Sequence, residues 1–215
     1  MLETYMQTFL SLLKKEDKER AVRYAIDLLE QKELTVEQLY LELLAPTLSN
    51  FECDVEDEEV CIWKEHIRTS IIRTILEISY LSIIERRETI ERVGKTILVL
   101  TPAFEYHEIG AIMNTHLMLL QGFDARYIGA NTPKDEILSA LRAYEPDFIA
   151  LSVSNTYNIV VTKRITEEIR RFFPDVGIIL GGRAFFKQGA NESLTYDYLL
   201  NSLDDLKAFK RKVVA

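Results

Sequence analysis

No glycine occurs before Gly94, and the first 87 residues contain a single proline, Pro46. A stretch without helix breakers, in which apolar residues recur every three or four positions, is typical of consecutive α-helices. Thr35 and Gln38 have the spacing of a capping box and predict the start of one of these helices. We predict four helices, over residues 2–14, 17–31, 35–50 and 57–87.

The fourth predicted helix carries an apolar stripe and is expected to be the central helix of a four-helix bundle. The stripe consists of Ile62, Trp63, Ile67, Ile71, Ile75 and Ile78.

The pattern changes at residues 88–94. Short β-rich runs now alternate with helical stretches, which is typical of parallel strands joined by crossover helices. We therefore predict an α/β chain, with an N-terminal four-helix bundle cap over residues 1–90 and a Rossmann/flavodoxin-like doubly wound parallel sheet over residues 91–215. The predicted strands are 95–100, 125–128, 148–152, 176–180 and a weaker 196–200, and the predicted helices are 108–121, 133–144, 158–172 and 202–212.

The charge of the chain excludes some classes of function. Its 34 acidic and 26 basic residues give a net charge of -8, which disfavours direct binding to nucleic acid. No apolar run is long enough to span a membrane, and the amphipathic N-terminus carries charges where a signal peptide would be apolar, so we expect a cytoplasmic protein. The two cysteines, Cys53 and Cys61, do not indicate a disulfide framework.

Candidate functional residues follow the predicted strands, because ligands of doubly wound sheets bind beyond the carboxyl ends of the strands. The loops there contain a histidine, several hydroxyl groups and a glycine pair. No phosphate-binding glycine motif is present, so the sequence does not support a nicotinamide or nucleoside triphosphate site. The three loops read TPAFEYHEIGAIM, SVSNTYN and GGRAFF.

The spacing of these residues resembles the signature of cobalamin-binding domains, DxHxxG, SxL and GG. Glu105 to Gly110 read EYHEIG, 41 residues separate Gly110 from Ser152, and 26 separate Ser154 from Gly181. A helical cap before such a domain is similar to the arrangement in methionine-synthase-type B12 modules. The resemblance therefore implies that the chain binds cobalamin, as adenosylcobalamin or methylcobalamin.

The resemblance also assigns roles to the residues of this motif. His107 would be the lower axial ligand of the cobalt, replacing the benzimidazole base of the cofactor. Glu105 would hold the other ring nitrogen, although the family usually has the shorter Asp there. Gly110 would leave room near the corrin ring. The alternative for His107 is a loop histidine that only stabilises the turn.

The displaced nucleotide tail is expected to enter a slot in the sheet. Ser152 and Ser154 would offer hydroxyl groups to the tail, and Gly181 and Gly182 would let the backbone approach it. Ser154 stands where the family has Leu.

Within these families, the sequence motifs are most similar to those of the cobalamin-sensing region of CarH/LitR-type light-responsive regulators. The segment from Glu105 to Ala111 reads ExHEIGA, and Gly129 to Pro133 match a GxxTP turn. The resemblance places Glu65 and His66 at the upper face of the corrin and makes Trp63 a candidate cover for the upper ligand. Packing within the bundle is the alternative for His66 and for Trp63.

This resemblance is incomplete in the cap. The regulators carry a Trp and a neighbouring His ten residues before the Glu of the pair, and Val55 and Glu56 occupy these positions here. The chain also begins directly with the predicted cap, so we expect no DNA-binding domain of its own.

We therefore predict a base-off, His-on cobalamin sensor or signalling module that responds to adenosylcobalamin or light. The alternative is a corrinoid methyl carrier of a methyltransferase system, and a third is a degenerate module that binds another tetrapyrrole or nothing. The expected partners are cobalamin, a regulator or methyltransferase protein, and a second copy of the chain.

Overall fold

The computed structural model of the chain describes residues 1–49, 57–187 and 189–214. It divides into two compact units, Met1–Glu85 and Arg86–Ala215. The division falls near the end of the long helix that closes the predicted cap.

All regular secondary structure among the described residues of the N-terminal unit is helical. Its helices are α1 (Leu2–Lys14), α2 (Lys18–Glu30), α3 (Val36–Gln38), a π-helical stretch (Leu39–Leu44), α4 (Ala45–Ser49) and α5 (Glu58–Arg87). The capping box at the start of α3 is confirmed: the Gln38 amide donates to Thr35 Oγ1 at 3.2 Å, and the Thr35 amide donates to Gln38 Oε1 at 3.0 Å. The Tyr40 hydroxyl lies 2.7 Å from Ser79 Oγ in a buried hydrogen bond that joins the π-helical stretch to α5.

Only the middle of the apolar stripe predicted on α5 is buried. Ile71 and Ile75 are buried, whereas Ile62, Trp63 and Ile78 are exposed. The reason is length, because α5 has 30 residues and α1 and α2 have 13 each, so these shorter helices cannot cover it from end to end. No helix among the described residues has both the length and the apolar composition that a bilayer span requires.

Cys61 near the start of α5 is disulfide-bonded, contrary to the expectation from the sequence. The other cysteine, Cys53, lies outside the described residues. A single pair of cysteines has no recurring spacing, so the sequence carried no signal for a bond.

The C-terminal unit is a five-stranded parallel sheet in the order β2-β1-β3-β4-β5, flanked by helices. This architecture confirms the predicted doubly wound α/β fold. The strands are β1 (Thr96–Pro102), β2 (Asp124–Thr132), β3 (Phe148–Ser152), β4 (Gly177–Gly181) and β5 (Tyr198–Leu199). The helices are α6 (Ile109–Leu120), α7 (Lys134–Tyr144), α8 (Ile159–Phe172) and α9 (Leu203–Val214), with short 3-10 turns at Thr156–Asn158 and Arg183–Phe186.

Both faces of the sheet are covered, which is why its strands read as nearly continuous apolar runs. One face carries alternate strand residues such as Leu98 and Leu151, which pack with buried residues of α7 and α8. On the other face, the ring of Phe209 from α9 contacts Phe123 and Phe148, at centroid distances of 5.3 and 5.1 Å.

Two strands differ from their predicted lengths. β2 continues to Thr132, four residues beyond the predicted end. Its register against β1 shifts twice, so that pairing with β1 extends into the polar residues at its end. β5 has only two residues, so its periodicity is too short to give a strong signal.

Burial of His116 on α6 makes the stability of this unit depend on pH. Burial lowers the pKa of His116 to about 4, from an ordinary value of 6.5. Between these pH values the unfolded chain binds a proton that the folded chain does not, so stability falls as the pH falls from 6.5 towards 4. We expect His116→Gln to flatten the dependence of unfolding free energy on pH in this window.

Denaturant unfolding followed by circular dichroism at several pH values measures this effect. His66→Gln is the matched control, because His66 is exposed on α5. Equal slopes for the wild type and His116→Gln would contradict the prediction.

Candidate functional site

The predicted residues Glu105 and His107 lie in the loop between β1 and α6, at the carboxyl edge of the sheet. β1 lies between β2 and β3, and the chain passes from β1 to one side and from β3 to the other. The strand order therefore reverses at this point, which is where doubly wound sheets bind their ligands.

The Glu105 carboxylate is fully buried and is the centre of the site. Its Oε1 accepts hydrogen bonds from His107 Nδ1 at 2.5 Å and from the His107 amide at 3.2 Å. Its Oε2 accepts from the amides of Ser154 and Asn155, at 2.9 and 2.8 Å, and from Asn158 Nδ2 at 3.1 Å. Residues that follow β3 thus bind a residue that follows β1.

This set of donors keeps the carboxylate charged. Burial by itself raises the pKa of Glu105, but hydrogen bonds from His107, Asn155 and Asn158 outweigh it and lower the pKa to about 2. An ionised carboxylate can only accept, so the hydrogen between Glu105 and His107 resides on Nδ1. In this tautomer Nε2 is the nitrogen with the lone pair, and it can coordinate a metal.

The His107 ring lies near the surface although its partner is buried. Its side chain is 63% exposed and that of Glu105 is 0% exposed. Phe104 and Tyr106 in the same loop are also largely exposed, as is Tyr157 in the loop after β3. The loop therefore presents an imidazole among aromatic side chains.

Backbone contacts fix the shape of this loop. Phe104 has a φ of +68°, which is unfavourable for a bulky residue. Asn131, at the end of β2, accepts a hydrogen bond from the Phe104 amide at 2.7 Å, and Asn158 Nδ2 donates to the Phe104 carbonyl at 3.2 Å. The Glu105 carbonyl accepts from Thr101 Oγ1 at 2.5 Å and from the Asn131 amide at 2.9 Å.

The predicted serines and glycines also lie at the carboxyl edge of the sheet. The contacts that the two glycines make were not predicted. Ser152 is buried at the end of β3, and Ser154 binds Glu105 through its backbone amide. A Cβ added to Gly181 would lie 2.8 Å from the Leu200 carbonyl oxygen, and one added to Gly182 would lie 2.3 Å from that of Val153. Close approach of the backbone that follows β3 and β5 therefore requires the two glycines, independently of any ligand.

Gly110 differs from this pair. It is exposed in the first turn of α6, and apart from its chain neighbours and the backbone of its own helix, no heavy atom of the described residues lies within 4 Å of an added Cβ. Protein packing gives no reason for a glycine there, and the space beside it is open.

We expect opposite effects of alanine at Gly182 and Gly110 on the stability of the ligand-free chain. Gly182→Ala places a Cβ against backbone at a φ of +110° and should destabilise the chain by about 2 kcal/mol. Gly110→Ala lies in a helix without a clash and should stabilise the chain by up to about 1 kcal/mol. Denaturant unfolding measures both, and a neutral Gly182→Ala would contradict the close packing.

The predicted residues of the cap lie on α5 in the N-terminal unit. Glu65, His66 and Trp63 are all exposed, so Trp63 does not belong to the core of the bundle. Val55 and Glu56 lie outside the described residues.

The sequence interpretation missed three asparagines that shape the site. Asn158 and Asn155 bind the Glu105 carboxylate, and Asn131 holds the loop backbone. Their signal was their position in the polar segments that follow β3 and end β2. Only the hydroxyl residues of the segment after β3 were singled out.

The chemistry of the site fits a metal that brings most of its own ligands. No group of three or more His, Cys, Asp or Glu side chains that could hold an ion occurs among the described residues. One carboxylate-oriented imidazole is sufficient only where a macrocycle supplies the remaining ligands.

Comparisons with known proteins identify the family and the fold. Residues 95–198 match the family model of the B12 binding domain. The fold matches the monomethylamine corrinoid protein of Methanosarcina barkeri, with a TM-score of 0.81 and 10% identity, over 99% of this chain and 100% of that one. No curated protein matches the chain significantly.

Two other solved structures are similar in fold. A cobalamin-binding protein from Desulfitobacterium hafniense DCB-2 aligns with a TM-score of 0.51 and 15% identity, over 98% of each chain. The methanol:cobalamin methyltransferase complex of Methanosarcina barkeri aligns with a TM-score of 0.50 and 13% identity, over 99% of this chain and 80% of that one.

The fold and the site define a class of protein, in which a helical cap precedes a doubly wound sheet with a histidine at its strand-order reversal. Within that class, the chain contains a B12-binding domain, and cobalamin is its cofactor. The predicted family and cofactor are confirmed. The closer resemblance to CarH/LitR-type regulators stays a prediction.

Proposed function

We propose that the chain is a corrinoid methyl carrier, which holds cobalamin while a methyl group passes between separate methyltransferases. The observation that carries the proposal is the His107 imidazole, oriented by a buried carboxylate at the carboxyl edge of a B12-binding domain. The likeness in fold to a monomethylamine corrinoid protein, over the whole length of both chains, supports it. A protein partner of the methyltransferase kind is part of the proposal.

The residues present fit a corrinoid. His107 Nε2 would hold the cobalt, and the corrin ring would supply the other nitrogen ligands. Gly110 leaves open space beside the loop, and the exposed rings of Phe104 and Tyr106 offer apolar surface to a flat macrocycle.

When bound, the corrinoid supplies a cobalt centre that accepts a methyl group from one substrate and gives it to another. Glu105 keeps the hydrogen of His107 on Nδ1, so that Nε2 presents its lone pair. The buried negative charge also compensates the positive charge that the ring develops when Nε2 donates electrons. The donors from Asn155 and Asn158 keep Glu105 ionised throughout.

The comparisons favour this carrier over the predicted sensor. The sensor interpretation depends on the sequence motif of the loop after β1 and on Glu65 and His66. Both cap residues are exposed in the structure. The proteins that match in fold include a corrinoid protein and a methyltransferase complex.

The test is methyl transfer by the loaded protein. The full chain is loaded with methylcobalamin in the dark and mixed with the methyltransferase encoded nearest to its gene and with that enzyme's methyl acceptor. We expect the visible spectrum to show demethylation of the bound cofactor faster than that of free methylcobalamin at equal concentration. Demethylation at the rate of the free cofactor would contradict the carrier.

The same preparation tests the sensor. The chain is loaded with adenosylcobalamin, and its size is measured by chromatography before and after illumination. We expect no change in assembly, and a light-dependent change would favour the sensor.

A further inference from the structure

A groove of about 770 Å³ lies on the surface of the N-terminal unit, between α2 and α5. Its apolar lining consists of Val22 and Ile26 from α2 and Ile78 from α5. Ile78 is 39% exposed, and Leu81, about one turn further along α5, is 64% exposed. The groove therefore leaves apolar side chains of two helices in contact with water.

The two helices run side by side in the same direction. Lys64 Nζ donates to Glu16 Oε1 at 3.0 Å, which joins an early turn of α5 to the residues just before α2. Further along both helices, Ile26 and Ile78 line the groove together. Residue numbers therefore increase along α2 and along α5 from one end of the groove to the other.

The charges that line the groove change sign along α2. The first half of the helix contributes three basic side chains and one acidic side chain, and the second half contributes two acidic ones. The basic residues are Lys18, Arg20 and Arg23, and the acidic ones are Glu19 in the first half and Asp27 and Glu30 in the second. All of these are exposed except Asp27, which is partly buried. One end of the groove is thus net positive and the other end is negative.

This arrangement of charges is complementary to itself. Around a two-fold axis the same surface of two copies meets in opposite directions. With the axis midway between Arg23 and Asp27, Arg23 of one copy faces Asp27 of the other, and Arg20 faces Glu30. The apolar lining of the groove lies at the centre of this contact, between the two charged ends.

We propose that the groove is the interface of a homodimer, in which the α2 helices of two copies pair in opposite directions. The occupant is a second copy of the chain, because a two-fold interface requires one surface to carry both members of each charge pair, and α2 does so. The helix is about 20 Å long, so the contact is small among specific interfaces and the dimer is expected to be weak. The inference goes beyond the proposed function, which holds for a monomer as well.

The test is sedimentation equilibrium of the full chain at protein concentrations up to about 1 mM, and we expect the wild type to dimerise. Arg23→Glu brings like negative charges together at both pairs, and Asp27→Arg brings like positive charges together. Each variant should weaken dimerisation about tenfold or more. Arg142→Glu is the matched control, because it makes the same change at an exposed position of α7 in the other unit, and it should dimerise like the wild type.

A mixture of the two variants separates pairing from effects on folding. In a mixed dimer each reversed charge meets an opposite one, so an equimolar mixture of Arg23→Glu and Asp27→Arg should dimerise about as strongly as the wild type. Damage to the fold of either variant would not be repaired by mixing. A wild type that stayed monomeric would overturn the homodimer and leave the groove to a different protein. A mixture that associated no better than its two components would overturn the pairing of α2 with α2.

Discussion

Cobalamin bound to His107→Ala is expected to lack histidine ligation, and its visible spectrum should be that of the cofactor without a protein imidazole on cobalt. The affinity should fall by about 100-fold, because even the outer partners of a metal-bound histidine contribute 10- to 100-fold. His107 is mostly exposed, so its removal should leave the fold intact. Titration of hydroxocobalamin with wild type and variant, followed by visible spectroscopy, measures both effects.

Two controls make this prediction specific. His66→Ala removes another exposed histidine, on α5, and should keep the wild-type spectrum if His107 is the lower ligand. Imidazole added to His107→Ala should restore a ligated spectrum, because it can occupy the space that the side chain leaves. A spectrum of His107→Ala identical to that of the wild type would refute the assignment of His107.

The architecture could be predicted because each unit repeats one periodic pattern. The first 87 residues keep a helical spacing without glycine, and the strands from residue 96 onward are short apolar runs between helices. Both patterns follow from burial, which the sequence records directly. β5 is the exception, because two paired residues cannot show a period.

The contact between Glu105 and His107 could be predicted because both lie in one loop, two residues apart, in a motif of known spacing. The other partners of Glu105 could not. Two of its donors are backbone amides, of Ser154 and Asn155, and a backbone amide leaves no trace in the sequence. Asn158 binds across 53 residues of chain, and only the fold brings it to the site.

The glycine pair shows why a motif can predict a residue and miss its cause. Gly181 and Gly182 were expected to make room for a ligand, and the structure shows that neighbouring backbone already fills the space of their side chains. Both demands act on the same positions, so the sequence cannot separate them. Gly110 can be separated, because no described atom explains it.

Replacement of Glu105 by leucine is expected to have the largest effect on stability. Leucine removes the acceptor of the amides of Ser154 and Asn155 and of the Asn158 side chain, in a fully buried place. Unpaired buried donors each cost roughly 1–3 kcal/mol, so we expect a loss of about 4 kcal/mol in the free energy of unfolding. Denaturant unfolding of the ligand-free chain measures it.

Two variants show whether the carboxylate itself is responsible. Glu105→Gln keeps one acceptor oxygen in nearly the same volume and should lose about half as much stability. Glu108→Leu makes the same change three residues along, where the carboxylate is partly exposed and accepts a hydrogen bond from Tyr127 at 2.8 Å; it should cost less than about 1 kcal/mol. If Glu105→Leu cost no more than Glu108→Leu, the buried carboxylate would not be what holds the ends of β1 and β3 together, and the orientation of His107 would need another cause.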